Sequence, residues 1–390
     1  MLNNTGYLLL IQERIWYNIG KIYYKFGNCF IILFFLREVK MKKIGILITL
    51  LSLCSVLSAY NPPVNGESIF EYSTPKLLSG ATSTAGGGIF SPCAESIIIN
   101  PAITAAEQRV NLSLVYTAMF TTNDLSSKKY GNIIQSSILI PSKLFVFTGL
   151  VNFTSVNFAE MALGSTLNVK ANLSKEITDK LDVGIGVNGG FKFGDYSDWA
   201  LSANLGALYT LGDVGFLKDI RFGASVNNLG KGYSKTQDIR PLKLDGKASS
   251  FPSLCYIRMG AAAMFVSTEN IKLGMSLDFE TPLFQNLIIS SGINFSIKDQ
   301  FFVNVQEKIN VKELANSYSN FIPSIGISYK FRFNVNNVAY LDKNDWNENE
   351  MRISAAYKNV YDTVNAISSD VDITLGLKDE TPPEIKLWEE

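Results

Sequence analysis

Residues Leu181 to Phe193 read Leu-Asp-Val-Gly-Ile-Gly-Val-Asn-Gly-Gly-Phe-Lys-Phe. Leu181, Val183, Ile185, Val187, Phe191 and Phe193 stand at alternate places, and Asp182, Gly184, Gly186, Asn188, Gly190 and Lys192 fill the positions between them. Successive side chains of an extended strand point to opposite faces, so a period of two gives one apolar face and one small or charged face. The same writing recurs at Leu167–Ser174, Ile271–Glu280 and Ser324–Phe333, and from Val110 onward the period is two rather than 3.6. A soluble sandwich also alternates. Three features favour a membrane barrel instead. Several segments run ten residues or more, long enough to cross a bilayer at a tilt. The polar face is rich in Gly, Ser and Asn, as in a wet lumen, and aromatic pairs such as Phe191/Phe193 and Phe331/Phe333 sit at strand ends, where girdles form.

Counting such segments predicts strands at 110–120, 131–140, 143–151, 163–174, 181–193, 199–210, 219–227, 253–266, 270–280, 287–297, 300–308, 321–333, 350–359 and 366–377. The expected fold is therefore all-β: a transmembrane antiparallel β-barrel of about fourteen strands over residues 110–377, an even number as single-chain bacterial barrels require. From a periplasmic N-terminus, the longer connections at 121–130, 152–162, 228–252 and 309–320 fall outside the cell and the short turns fall in the periplasm. Residues 334–349, long yet periplasmic, break this sorting.

The N-terminus sets the compartment. Lys42 and Lys43 precede an apolar run from Ile44 to Leu53, and Ala59 is a small residue suited to cleavage, so 41–59 read as a secretory signal too short to span a bilayer as a helix. Leu51-Ser52-Leu53-Cys54 loosely resembles a lipobox, which the bulky Leu53 disfavours. Residues 1–40 do not fit ahead of a signal peptide, and Met41 is the expected start. A mature chain from Tyr60 holds 28 Lys/Arg against 33 Asp/Glu, a net of −5, and only Cys93 and Cys255, either an isolated disulfide or, as preferred, two unpaired thiols.

Composition narrows the function classes. The whole chain has 35 Lys+Arg, 35 Asp+Glu and no histidine. Imidazole-based catalysis and His-ligated metals are thereby excluded, no cofactor is expected, and no basic run suits nucleic acid. At 47% hydrophobic and 18% charged it is too apolar for disorder. Gly184-Ile-Gly-Val-Asn-Gly189 matches a dinucleotide fingerprint in letters but lies inside a strand, without the helix that would receive the phosphates. Asp278 and Glu280 share a face and read as lumen-lining charge rather than an acid/base pair, and Lys231–Lys247 is a basic loop expected to face solvent.

Ahead of the barrel, 60–109 do not alternate. The stretch Gly86-Gly87-Gly88, small residues after it, and Asn100-Pro101-Ala102 just before the first strand resemble the N-terminal hatch of the FadL family of outer-membrane transport proteins; the layout over residues 75–377 is most similar to its spirochaete members. The resemblance implies a plugged barrel in the outer membrane of a diderm bacterium, inserted by the barrel-assembly machinery. It implies capture of hydrophobic small molecules, long-chain fatty acids foremost, at the outer loops, and a hatch movement that lets them leave, in the best-known members through a gap in the wall. In that reading Gly86, Gly87, Gly88, Asn100, Pro101 and Ala102 are structural or gating residues. Phe153, Val156, Phe158 and Met161, after the third strand, form a possible capture surface. A general porin and a structural or protein-secretion barrel are the alternatives; the Gly-rich segment argues against the porin. The tail 378–390 continues past the last strand, where an aromatic commonly ends such chains.

Overall fold

The structure is a computed structural model and describes residues 69–124, 126–158, 164–194, 197–233, 238–239, 248–249, 255–284, 286–311, 314, 321–335, 347–360 and 363–376. The expected signal peptide, the upstream extension, the tail and Met161 lie outside these residues. Fourteen strands form the wall: β1 (Asn111–Thr121), β2 (Tyr130–Pro141), β3 (Val146–Val156), β4 (Gly164–Thr178), β5 (Leu181–Phe193), β6 (Asp198–Val214), β7 (Leu217–Lys231), β10 (Tyr256–Ser267), β11 (Ile271–Pro282), β12 (Ile288–Ile297), β13 (Phe301–Asn310), β14 (Ser324–Asn334), β15 (Glu348–Val360) and β16 (Val364–Thr374). Two short strands, β8 (Asp238–Ile239) and β9 (Ala248–Ser249), pair with each other in the connection between β7 and β10. Each wall strand pairs antiparallel with its neighbours in the chain, and β1 closes on β16 from Asn111↔Thr374 to Thr121↔Val364, so the sheet is a closed barrel.

Closure satisfies every ladder without an open edge, which lipid demands because no water is there to pair a stray amide. Burial runs opposite to that of a soluble protein. On β5, Ile185 and Val187 are 54% and 55% exposed on the outer surface, whereas lumen-facing Asn188 is fully buried. Outward Phe191, Phe193 and Trp199 gather near one rim; Phe216 and Phe265, with centroids 6.4 Å apart, and stacked Tyr329 and Phe331 lie near the other. An apolar band between aromatic rims is what a bilayer's hydrocarbon and headgroup layers select.

The longer connections cluster at one mouth, and the short turns at 179–180, 215–216, 268–270 and 298–300 at the other, with 335–347 the long exception. The third strand departs from expectation: it starts later and reaches Val156. Ser142 bonds both backbone groups of Phe145 in a tight turn, which delays the strand. Asn152 and Thr154, which look like loop residues in sequence, are buried lumen-facing side chains bonded to each other. One seam is short. β13 pairs with β12 through Asn310, but with β14 only from Phe301↔Tyr329 to Gln306↔Ser324.

Residues 69–109 fold inside the ring as the hatch: a 3-10 turn at Ile69–Tyr72, a single helical turn α1 (Pro75–Leu78) capped by the Thr74 hydroxyl, and further 3-10 turns at Ala94–Ile98 and Ile103–Ala106. The lumen is thus filled with chain. Its Gly, Ser and Asn lining serves contact with the hatch more than an open water channel.

Candidate functional site

The hatch midsection is fastened through its backbone. Gly86 and Gly87 adopt φ of 85° and 84°, a region glycine enters without steric cost, and the Ser83 hydroxyl accepts the Gly87 amide at 2.9 Å to close the turn. The carbonyls turned outward are collected by one wall residue. Arg221 of β7 donates to Ala85 and Gly87 at 2.7 and 2.9 Å, with its guanidinium 4.5 Å from the centre of the Phe90 ring. The Gly88 amide donates to Asn294 at 2.6 Å. Asn100 is a three-way tie: its amide donates to Thr84 O (2.8 Å) and to Ala207 O of β6 (3.0 Å), while its oxygen accepts the Ala102 amide (3.0 Å). Pro101 O accepts from Asn172, and Ala102 is fully buried beside Ala85, Ile103 and Leu208. All six expected hatch residues therefore sit where hatch meets hatch or hatch meets wall.

Wall glycines make this seating possible. A methyl group on Gly223 would collide with the Thr84 carbonyl, and one on Gly184 with Pro101. The GxGxxG letters at 184–189 thus record close backbone approach in a strand, not phosphate binding. Asp278 accepts the Thr84 amide at 2.8 Å and Glu280 pairs with Arg258 at 3.2 Å, so both carboxylates hold structure together.

Toward the long-loop mouth the contacts change to side chains. The hatch's Phe70, Tyr72, Leu77 and Ile97–Ile99 pack with lumen-facing Met119, Ile133, Leu150, Val156, Val360 and Val364 and with Phe158 in one apolar cluster. The wall carries this greasy side on β15, β16, β1, β2 and β3. Next to it around the ring, β3 to β6 present Asn152, Asn168, Asn188 and Ser202, all buried. Lys170 stands at the border, only 2% exposed, its ammonium 3.9 Å from the centre of the Phe70 ring. Among the described residues no carboxylate pairs with it. Beside it the hatch's Glu71 bridges Arg258 of β10 and Lys308 of β13 (2.5 Å to Lys308). Burial alone would raise the Glu71 pKa; Lys308 and Arg258 outweigh it and hold the carboxyl at about 2.

A second ionic knot lies toward the short-turn mouth. Lys76 of α1 meets Glu95 at 3.1 Å and Asp372 of β16 at 2.5 Å, with Asp370 at 3.8 Å, and Glu95 also accepts the Ser137 hydroxyl. Desolvation opposes the Glu95 charge but Lys76 prevails, leaving its pKa at about 2. Burial pushes the nearby Cys93 thiol up to about 12. Cys93 and Cys255 are both buried, and no disulfide joins them.

The expected capture surface does not assemble. Phe153 lies on β3 and points outward, 39% exposed, while Val156 and Phe158 are buried in the lumen cluster at 1%. A strand that extends to Val156 sends Phe153 and Val156 to opposite faces, so they share no surface. Of the basic loop, Lys231 pairs with Asp198 (3.2 Å) and covers the Trp199 ring. Lys170, Glu71, Arg258 and Lys308 were not singled out from sequence, although a signal existed: charges at inward parity, as in Leu167-Asn-Val-Lys-Ala-Asn-Leu173.

Fold and interior together define a class: a hatch-plugged transmembrane β-barrel of the outer-membrane type. No known family description matches the sequence, and no curated protein matches it. Solved structures similar in fold include the toluene transporter TbuX of Ralstonia pickettii (10% identity, 78% of this chain and 97% of that one, TM-score 0.47). The TodX deltaS2S3 mutant monoaromatic hydrocarbon channel is similar at 12% identity (79% and 98%, TM-score 0.49), and a Pseudomonas aeruginosa FadL homologue at 11% (76% and 97%, TM-score 0.41).

Proposed function

We propose that this chain takes up hydrophobic small molecules across the outer membrane, and that its cargo is amphipathic: a long-chain fatty acid or a similar apolar carboxylate. The long-loop mouth faces the outside in this reading. The observation that carries it is the part of the lumen where an apolar cluster adjoins Lys170, a buried ammonium with no carboxylate partner among the described residues. An isolated buried cation is costly, and an anion supplied by a ligand relieves that cost. Each methylene moved from water onto the apolar side adds about 0.8 kcal/mol. Neither feature serves a general porin, whose lumen would be open and wet.

The test is binding of a fluorescent long-chain carboxylate to the full-length protein in detergent, with heat-modifiable migration as the sign of a folded barrel. Saturable binding is expected, with Lys170→Gln weakening it about tenfold or more, the loss of one charge-assisted contact. A primary alcohol of equal chain length should bind both forms alike. A folded barrel that binds neither ligand sinks the uptake reading in favour of a structural or secretion role. Equal binding of toluene and carboxylate, indifferent to Lys170, would leave hydrophobic uptake standing and remove the carboxylate.

A further inference from the structure

Arg258 and Lys308 share two carboxylates, Glu280 of the wall and Glu71 of the hatch. Arg258 is held on its other side by Glu280 at 3.2 Å, and Lys308 stands 3.9 Å from the same group. Glu71 completes the arrangement from the hatch, one oxygen toward each cation. Its chain neighbour Phe70 lies under Lys170, and Tyr72 sits beneath Lys358 at 5.6 Å. Asp278, the other acid close by, is engaged by the Thr84 amide. In consecutive positions the hatch tip thus brings an apolar ring to Lys170 and a carboxylate to Arg258 and Lys308: the two kinds of group that the proposed cargo would carry.

We infer that the hatch tip Ile69–Tyr72 is a tethered internal competitor, an amphipathic carboxylate built into the chain, which a hydrophobic carboxylate reaching these cations displaces. This rests on the uptake reading and adds how the plug senses its cargo. The exchange keeps charge balanced. The ligand's carboxylate takes up Lys170 and the Arg258–Lys308 pair as Glu71 swings toward water, so no buried cation is left bare. An uncharged hydrophobe lacks that compensation and leaves the tip in place. A resident competitor also scales apparent affinity down to the fraction of time it leaves the seat vacant.

The experiment uses the full-length protein in detergent, wild type and Glu71→Gln, which keeps the shape of the side chain and removes its charge. The fluorescent carboxylate and the equal-length alcohol serve as probes, and hydrogen exchange of the wild-type hatch as a measurement free of any variant. The expected result is a carboxylate affinity about tenfold higher in Glu71→Gln, with alcohol affinity changed less than about twofold. Saturating carboxylate should speed exchange in residues 69–78 of the wild type and leave 84–88 unaffected. A carboxylate-to-alcohol ratio unmoved by Glu71→Gln, or added protection of 69–78 by the carboxylate, overturns the inference while uptake stands. Binding by the variant alone supports competition. Failure of both folded proteins to bind either probe removes both readings.

Discussion

The midsection of the hatch and its tip meet the wall by different chemistry. From Thr84 to Gly88, main chain lies against main chain across strand glycines, and the bonds join Arg221, Asn294 and Asp278 to hatch backbone groups. At Phe70–Tyr72 the contacts are a ring under an ammonium, an ion pair shared among four charged groups, and apolar packing. Contacts of the first kind have no substitute once broken, since a buried carbonyl or amide left alone costs about 1–3 kcal/mol. Contacts of the second kind are the sort a small amphiphile reproduces. A plug made wholly of the first would never open for cargo; one made wholly of the second would leak.

The largest expected effect comes from attacking the midsection. Gly223→Val places side-chain carbon on the Thr84 carbonyl and should weaken hatch seating by about 3 kcal/mol or more, the upper range for overpacking against a neighbour that cannot rotate away. In planar bilayers, wild-type protein should then stay nearly silent while Gly223→Val shows stepwise ion conductance; a silent variant with intact heat-modifiable migration would contradict the seating argument.

Acid should act more gently, and on the ionic contacts alone. Glu71 and Glu95 have folded pKa values of about 2 against an ordinary 4.5. The stability they contribute is complete above about pH 4.5 and is lost as pH falls toward 2, where both states are protonated. Hydrogen exchange, corrected for its intrinsic pH dependence, should register no loss from Glu71 or Glu95 between pH 7 and 5. Below that it should rise in 69–78 and 94–98, with 84–88 the last segment to follow. A uniform rise along the hatch would erase the distinction between midsection and tip.

The smallest effect is expected on the outer wall. Phe153→Ala should leave carboxylate binding within about twofold, because the ring faces lipid rather than the lumen. Titration with the fluorescent carboxylate decides this, and a large loss would restore Phe153 to a capture surface.

The wall was readable because alternation is local: Leu181–Phe193 needs no partner to show its two faces, and every predicted strand overlaps a wall strand of the barrel. The third was misplaced because Asn152 and Thr154 look the same in sequence whether they face solvent in a loop or hatch and neighbours in a lumen. The hatch was legible as a segment, through Gly86–Gly88 and Asn100-Pro101-Ala102, but its partners were not. Glu71 and Lys308 are 237 positions apart, and Asn100 and Ala207 are 107 apart. Spacing along a chain carries no trace of such meetings. Lys170 was visible as an inward lysine; that no carboxylate among the described residues pairs with it is a property of the folded interior.

The abbreviated seam between β13 and β14 has a consequence for how the wall comes apart. Six rungs join these strands, whereas β12 and β13 share ten and β1 and β16 share eleven. In a closed sheet each ladder stands in series around the circumference, so rupture begins at the shortest one, much as a zipper parts where teeth are missing. On heating in detergent, amides of β13 facing β14 should exchange before those facing β12, and the ring should open into a ribbon there.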